Sequence, residues 1–406
     1  MEQNGAGPIA ASSMILIPAR GPMRVYCRTL MKTPLCDLLG IEFPLFAFSH
    51  CRDVVAAVTN AGGFGVLGAS RHTPEELELE LKWIDEHVRG RPYGVDILIP
   101  ENMIGRDEKV DGETLRARVP ERHKQFVREL LGRYDVTVDL DDPIVAKRDF
   151  PLLPAVSARL MDVAFSHPIK LIANALGLPP QSMIDRGRAQ GVAVAALVGA
   201  KEHAVRQVQA GVDIIVAEGA EAGGHCGEVS TLVLVPEVIR ALEPIRAVPV
   251  LAAGGIVTGR QMAAMMALGA AGAWTGSVWL MTSESEASPL LQEKFAAATS
   301  RDTVRSKSRT GKYTRQLRSA WTDAWGGPES PGPLPMPLQL FLSEPAFRRA
   351  EQEASRGNRK AEALVSYYIG QGVGLLDQVK TSKAVVREFM EDFAAAAADM
   401  AQLTSE

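Results

Sequence analysis

Val248-Pro249-Val250-Leu251-Ala252-Ala253-Gly254-Gly255-Ile256-Val257-Thr258-Gly259-Arg260-Gln261 decides how the chain is read. An unbroken apolar run ends in two glycines, and a helix start follows at once. A continuous run, rather than an alternating one, suits a parallel strand buried on both faces. Thr258 and Gln261 have N-cap and N3 spacing, the pattern of a capping box. Strand, glycine corner and helix together make one βα unit.

The unit recurs. Asn60-Ala61-Gly62-Gly63-Phe64-Gly65-Val66-Leu67-Gly68 has the same character, as do the runs 191–199, 211–219 and 269–276, each with a helix-capping glycine before a short apolar stretch. Strands are expected at 41–46, 64–68, 93–99, 169–175, 191–197, 212–217, 248–253 and 271–275. Helical segments separate them, among them Asp53–Asn60, Pro74–His87, Pro180–Ala189, Glu202–Ala210, Val235–Leu242 and Thr258–Ala267. Strand–helix alternation predicts a parallel sheet with right-handed crossovers. Eight units predict an α/β fold of the (β/α)8 TIM barrel type, with a doubly wound sheet as the rival.

The 406 residues exceed a barrel, and the surplus is expected in three places. Residues 1–30 read as a flexible N-terminal extension, because their apolar patch precedes its arginines and so reverses the order of a signal peptide. Residues 31–282 hold the barrel, with a charged insertion at 100–150 after strand three that contains one helix, Glu121–Tyr134. Residues 283–406 follow as a helical subdomain or lid, with helices near 344–368 and 383–402 after a proline-rich connector. A net charge of −4 argues against a nucleic-acid surface. No apolar run approaches the ~18 residues of a membrane span. Cys27, Cys36, Cys51 and Cys226 are too few and too scattered for a disulfide framework, and no CxxC pair suggests a metal. These features suit a cytoplasmic enzyme of small molecules; a homodimer stays open.

Chemistry concentrates in glycine-rich loops after the strands. Gly254 and Gly255 let the backbone close on a ligand, and the helix opened by Thr258 offers N–H groups to an anion. The next strand ends in Thr275-Gly276-Ser277 at the same end of the barrel, and loops after strands seven and eight are the usual barrel phosphate site. The same glycines could serve tight turns alone. Glu218-Gly219-Ala220-Glu221-Ala222-Gly223-Gly224-His225-Cys226-Gly227 follows strand six and offers His225 as a base titrating near neutrality, or as a structural hydrogen-bonding group. A Cys226 thiolate is a weaker alternative nucleophile. His50 either sits over the barrel mouth or caps the next helix with Asp53. Gly370-Gln371-Gly372-Val373-Gly374 is either an interhelical turn or a flap returning to the site.

The chain resembles the nitronate monooxygenase family, also called 2-nitropropane dioxygenases. The resemblance rests on 60–65, 219–227, Ala253-Gly254-Gly255-Ile256, Gly276-Ser277 and 370–374, in the family's order. It implies an FMN-dependent TIM-barrel oxidoreductase, with flavin enoyl reductases and NAD(P)H:quinone reductases as relatives. It implies that Gly254, Gly255, Gly276 and Ser277 bind the FMN phosphate and that Gly223 and Gly224 lie against the flavin. His225 would be the catalytic histidine. Ala47, Asp96, Glu218, Trp274, Thr275 and Gln371 would be further cofactor contacts. The sequence departs from the family at Asp96, Glu218 and Trp274, where amides are common, and in the loop Phe46–Cys51. Two added carboxylates would disfavour an anionic reduced flavin unless protonated or paired.

The expected activity is oxidation of an alkyl nitronate with O2. The first alternative is a flavin reductase using NAD(P)H on an enoyl thioester or quinone. A phosphate-binding barrel without flavin and a non-catalytic flavin module are further rivals.

Overall fold

A computed structural model describes residues 32–105, 110–141 and 152–403. The expected extension at 1–30, Cys27 and the charge cluster 106–109 lie outside the described residues.

Eight parallel strands close into a barrel: β1 (Leu45–Ser49), β2 (Phe64–Gly68), β3 (Gly94–Ile97), β4 (Leu171–Asn174), β5 (Ala193–Val198), β6 (Ile214–Glu218), β8 (Val250–Ala253) and β9 (Gly272–Thr275). The seam is β1 on β9, in register Phe46↔Trp274. The TIM barrel read from the sequence is the fold.

Alternation along each strand sorts the side chains. Phe46, Phe64, Val66, Leu171, Ala195, Val216 and Trp274 form the core inside the barrel. Leu45, Ala47, Val95, Val194, Ala252 and Ala273 face the helices in the outer core. Packing between the two layers is tight. A Cβ on Gly65 would lie 2.5 Å from the Val55 carbonyl oxygen, so a side chain there would displace helix Arg52–Asn60 from β2.

The first strand was expected at 41–46 and lies four residues later at its start. Ile41 and Phe43 gave an apolar run, but Pro44 has no N–H for the ladder, and pairing begins after it. This correction moves Phe48 and Ser49 to the end of a barrel strand.

The segment after the barrel is not wholly helical. Residues Thr303–Ser306 (β10) and Thr314–Leu317 (β11) form an antiparallel hairpin, and β11 also pairs with a two-residue strand, β7 (Gly224–His225). The helix expected near 344–368 runs from Leu340 to Ser355. The last helix, Ser382–Leu403, packs on helix Gly259–Ala267 and on Arg52–Asn60.

The insertion helices Gly112–Ala117 and Glu121–Gly132 share a second hydrophobic core with the post-barrel helices. Leu115, Val127 and Leu131 from one side meet Trp321, Phe341 and Phe347 from the other. Insertion and tail are thus one accessory layer. No helix among the described residues is long and apolar enough to cross a membrane.

Candidate active site

A cavity of about 340 Å³ opens at the C-terminal ends of the strands. Its floor is aromatic. Trp274 stacks on Phe46, with centroids 5.9 Å apart, and on Phe48 at 6.5 Å. Alternation turns Asp96 at the end of β3 and Glu218 at the end of β6 inward, and both line the cavity. Asp96 is 4 % exposed, and burial raises its carboxyl to about 7. Burial, reinforced by Asp96, holds the Glu218 carboxyl well above the ordinary range. A protonated carboxyl carries one donor and spare acceptors, as an amide does. In that form each offers what an amide at the same position offers, and Asp96 takes it below about pH 7.

Gly254 and Gly255 have φ of 109° and 73°, in the left-handed region that favours glycine. A Cβ on Gly254 would meet Thr231 Oγ1 at 2.7 Å. The backbone N–H groups of Gly255, Ile256 and Gly276 have no acceptor among the described residues, and all three residues line the cavity. A Cβ on Gly276 would meet nothing within 4 Å, so a ligand can approach that backbone closely. Three free donors around two glycine corners make an anion cradle.

The helix start does not contribute as the sequence suggested. The capping box is present, with Thr258 accepting from the Gln261 N–H. The Arg260 N–H, however, donates to Asp392 Oδ2 at 2.7 Å, so the last helix already supplies the anion there.

His225 sits on β7, paired with Thr314 of the post-barrel hairpin. Its Nε2 is 3.0 Å from Thr310 Oγ1. The Thr310 hydroxyl donates to the Lys312 carbonyl at 3.2 Å and accepts the Lys312 N–H at 3.3 Å. Satisfying these bonds puts the imidazole proton on Nε2, donated to Thr310, and the lone pair on Nδ1. Burial, helped by the nearby Lys312 ammonium, lowers the imidazole to about 4. Cys226 follows, and burial pushes its thiol up, which disfavours the thiolate alternative.

His50 lines the cavity rather than capping a helix. Its Nδ1 is 2.9 Å from the Gly68 carbonyl oxygen, and burial and Arg71 lower the ring to about 3. The 370–374 segment returns to the loops behind the cavity without lining it. The Gly370 N–H donates to Ser277 Oγ at 2.8 Å, and the Gln371 N–H donates to the Glu221 carbonyl at 2.9 Å.

The candidate residues Asp96, Glu218, Gly223, Gly224, His225, Gly254, Gly255, Trp274, Thr275, Gly276 and Ser277 all come together around this cavity. Two do not reach it. Ala47 points to the helices because Phe46 and Phe48 occupy the inward positions of β1, and Gln371 lies in the turn behind Ser277. Arg71, Thr310 and Tyr368 were missed.

Residues 32–392 match the sequence profile of nitronate monooxygenases. The chain belongs to the nitronate monooxygenase family. A protein of Mycobacterium tuberculosis assigned as a monooxygenase, Rv1533, is 52 % identical over 365 residues, covering 89 % of this chain and 96 % of its own. The structure of nitroalkane oxidase from Streptomyces ansochromogenes superposes with a TM-score of 0.73 at 26 % identity, covering 91 % of this chain and 100 % of that one. FabK from Thermotoga maritima gives 0.66 at 25 %, covering 92 % and 99 %. This nitronate monooxygenase family member is a flavin-dependent oxidoreductase. Its anion cradle and aromatic-floored cavity fit a flavin nucleotide: free N–H donors suited to a phosphate, an open face at Gly276, and carboxyls whose neutral forms burial favours.

Proposed function

We propose that this enzyme oxidises alkyl nitronates with O2, using FMN. The observation that carries the reading is that His225 and the cradle of Gly255, Ile256 and Gly276 line the same cavity. FMN, when bound, supplies the two-electron redox chemistry and the reaction with O2.

The chain supplies the rest. Gly255, Ile256 and Gly276 donate N–H groups to the phosphate. Burial favours the neutral form of Glu218 and, below about pH 7, of Asp96, which limits negative charge in a site that must hold an anionic substrate. Trp274, Phe46 and Phe48 exclude water from the floor. His225 presents Nδ1 as a hydrogen-bond acceptor fixed by Thr310. An imidazole held near 4 is a poor proton acceptor from a neutral nitroalkane. The site therefore suits a substrate that arrives already deprotonated, which is what a nitronate is, with His225 orienting it.

The likeness to FabK supports a second reading, reduction of an enoyl thioester or quinone by NAD(P)H. One pair of measurements separates them. Purified protein with bound FMN should take up O2 with propyl-1-nitronate and keep an oxidised flavin spectrum when mixed anaerobically with NADPH. Rapid bleaching by NADPH with no O2 uptake would replace the first reading with the second.

A further inference from the structure

A second cavity, of about 460 Å³, adjoins the first. Arg71, Leu98 and Tyr368 line both, and His225 stands in the wall between them. The far side is not barrel. The insertion contributes Gly112 and Arg116, and helix Leu340–Ser355 contributes Leu340, Phe341, Phe347 and Arg348.

Four arginines, Arg71, Arg116, Arg309 and Arg348, face two carboxyl groups, Glu344 and Glu351, while His50 and His225 stay neutral at physiological pH. Three guanidinium groups are fixed against rings. Arg309, 2 % exposed, lies 4.3 Å from the ring centroids of Phe347 and Tyr368 and pairs with Glu344 at 3.4 Å. Arg71 covers Tyr367 at 5.0 Å, and Arg116 covers Phe341 at 5.2 Å. Arg348 is exposed, and no hydrogen bond or ion pair holds it among the described residues. Leu98, Leu152, Met336 and Leu340 make much of the remaining wall apolar. Apolar walls that end at the exposed Arg348 guanidinium, held by no carboxylate among the described residues, complement a chain that ends in an anion.

We infer that the substrate is an extended amphipathic anion, with its reacting carbon at His225, its apolar chain in the second cavity and its anionic end group at Arg348. A short alkyl nitronate would leave this cavity unused. The inference deepens the proposed function and rests on it.

The test titrates flavin-loaded protein calorimetrically with decanoate, decyl phosphate and decanol, in the wild type, Arg348→Glu and Leu340→Trp. Melting temperature and flavin absorbance verify that each variant is folded. At least one anion should bind about tenfold tighter than decanol, and Arg348→Glu should remove that advantage together with its salt dependence. Whichever anion binds tighter identifies the end group. Leu340→Trp, which puts bulk into the cavity, should weaken all three probes. It should also lower kcat/KM for decyl nitronate about tenfold more than for propyl nitronate. Decanol binding as tightly as the anions, or no probe binding to a folded wild type, overturns the inference. Probe binding without turnover of any nitronate supports the cavity assignment and overturns the oxidation reading instead.

Discussion

His225 Nε2 and Thr310 Oγ1 lie 3.0 Å apart, although 85 residues separate them in the chain. The barrel supplies the loop that carries the histidine, and the post-barrel hairpin supplies its partner and its ladder. The setting of His225 is therefore fixed by an element outside the barrel.

The acid limb of the kcat profile should follow from that environment. Burial and Lys312 hold His225 at about 4, so activity that needs neutral imidazole should survive well below the usual 6.5 and fall as pH drops through about 4. Lys312→Met removes a cation that disfavours imidazolium. The limb should move up in pH yet stay below 6.5, because burial, the larger cause, remains. His225→Ala should lose about a hundredfold or more in kcat with flavin retained. A Lys312→Met profile that superposes on the wild type removes the electrostatic account.

Asp96→Asn should stabilise the protein in a pH-dependent way. The folded carboxyl titrates at about 7, against an ordinary 3.8. Between those values the folded chain holds a proton that the unfolded chain has lost. Its contribution is therefore present in acid and is lost as pH rises through about 7. The neutral amide lacks this loss. Melting temperature should rise at pH 8, by on the order of a few kcal/mol in stability, and change little at pH 4. An equal effect at both values would mean that the gain comes from packing.

Gly276→Ala should separate folding from cofactor binding. A Cβ there meets nothing within 4 Å, and φ of −126° is open to alanine. The melting temperature of flavin-free protein should be unchanged, while the Kd for FMN rises about tenfold or more as the methyl enters the cradle. Unaltered affinity would place the phosphate elsewhere.

Gly259→Ala should reverse an ordinary preference. Replacing glycine by alanine near a helix start is commonly neutral or favourable. Here a Cβ would sit 1.9 Å from the Phe389 carbonyl oxygen, which is backbone and cannot turn away. The substitution should cost about 3 kcal/mol and loosen the last helix. Hydrogen exchange of residues 382–403 measures it; protection equal to wild type contradicts the contact.

The barrel was legible because each strand is short, apolar and bracketed by glycine, a local pattern. Gly254, Gly255 and His225 were legible for the same reason, since each lies in a glycine-rich segment that follows a barrel strand. What escaped depends on contacts distant in sequence. Nothing local to Thr303–Ser306 or Thr314–Leu317 says that the second of these pairs with Gly224 and His225. The anion read at the Thr258 helix start is real, but it is Asp392, which no local pattern links to Arg260. Ala47 entered as a cofactor contact through the resemblance, and the pleat of β1 turns its side chain toward the helices.

The Gly255 corner is walled by Gly372, whose missing Cβ leaves room for the Gly255 carbonyl, and the helix beyond it is tied to Asp392. Both residues are synthesised long after Thr275 completes the sheet. The cradle and the His225 anchor are therefore completed only by chain that follows the barrel in sequence. A chain cut after the barrel therefore loses the Gly372 wall, the Asp392 tie and the Thr310 anchor together.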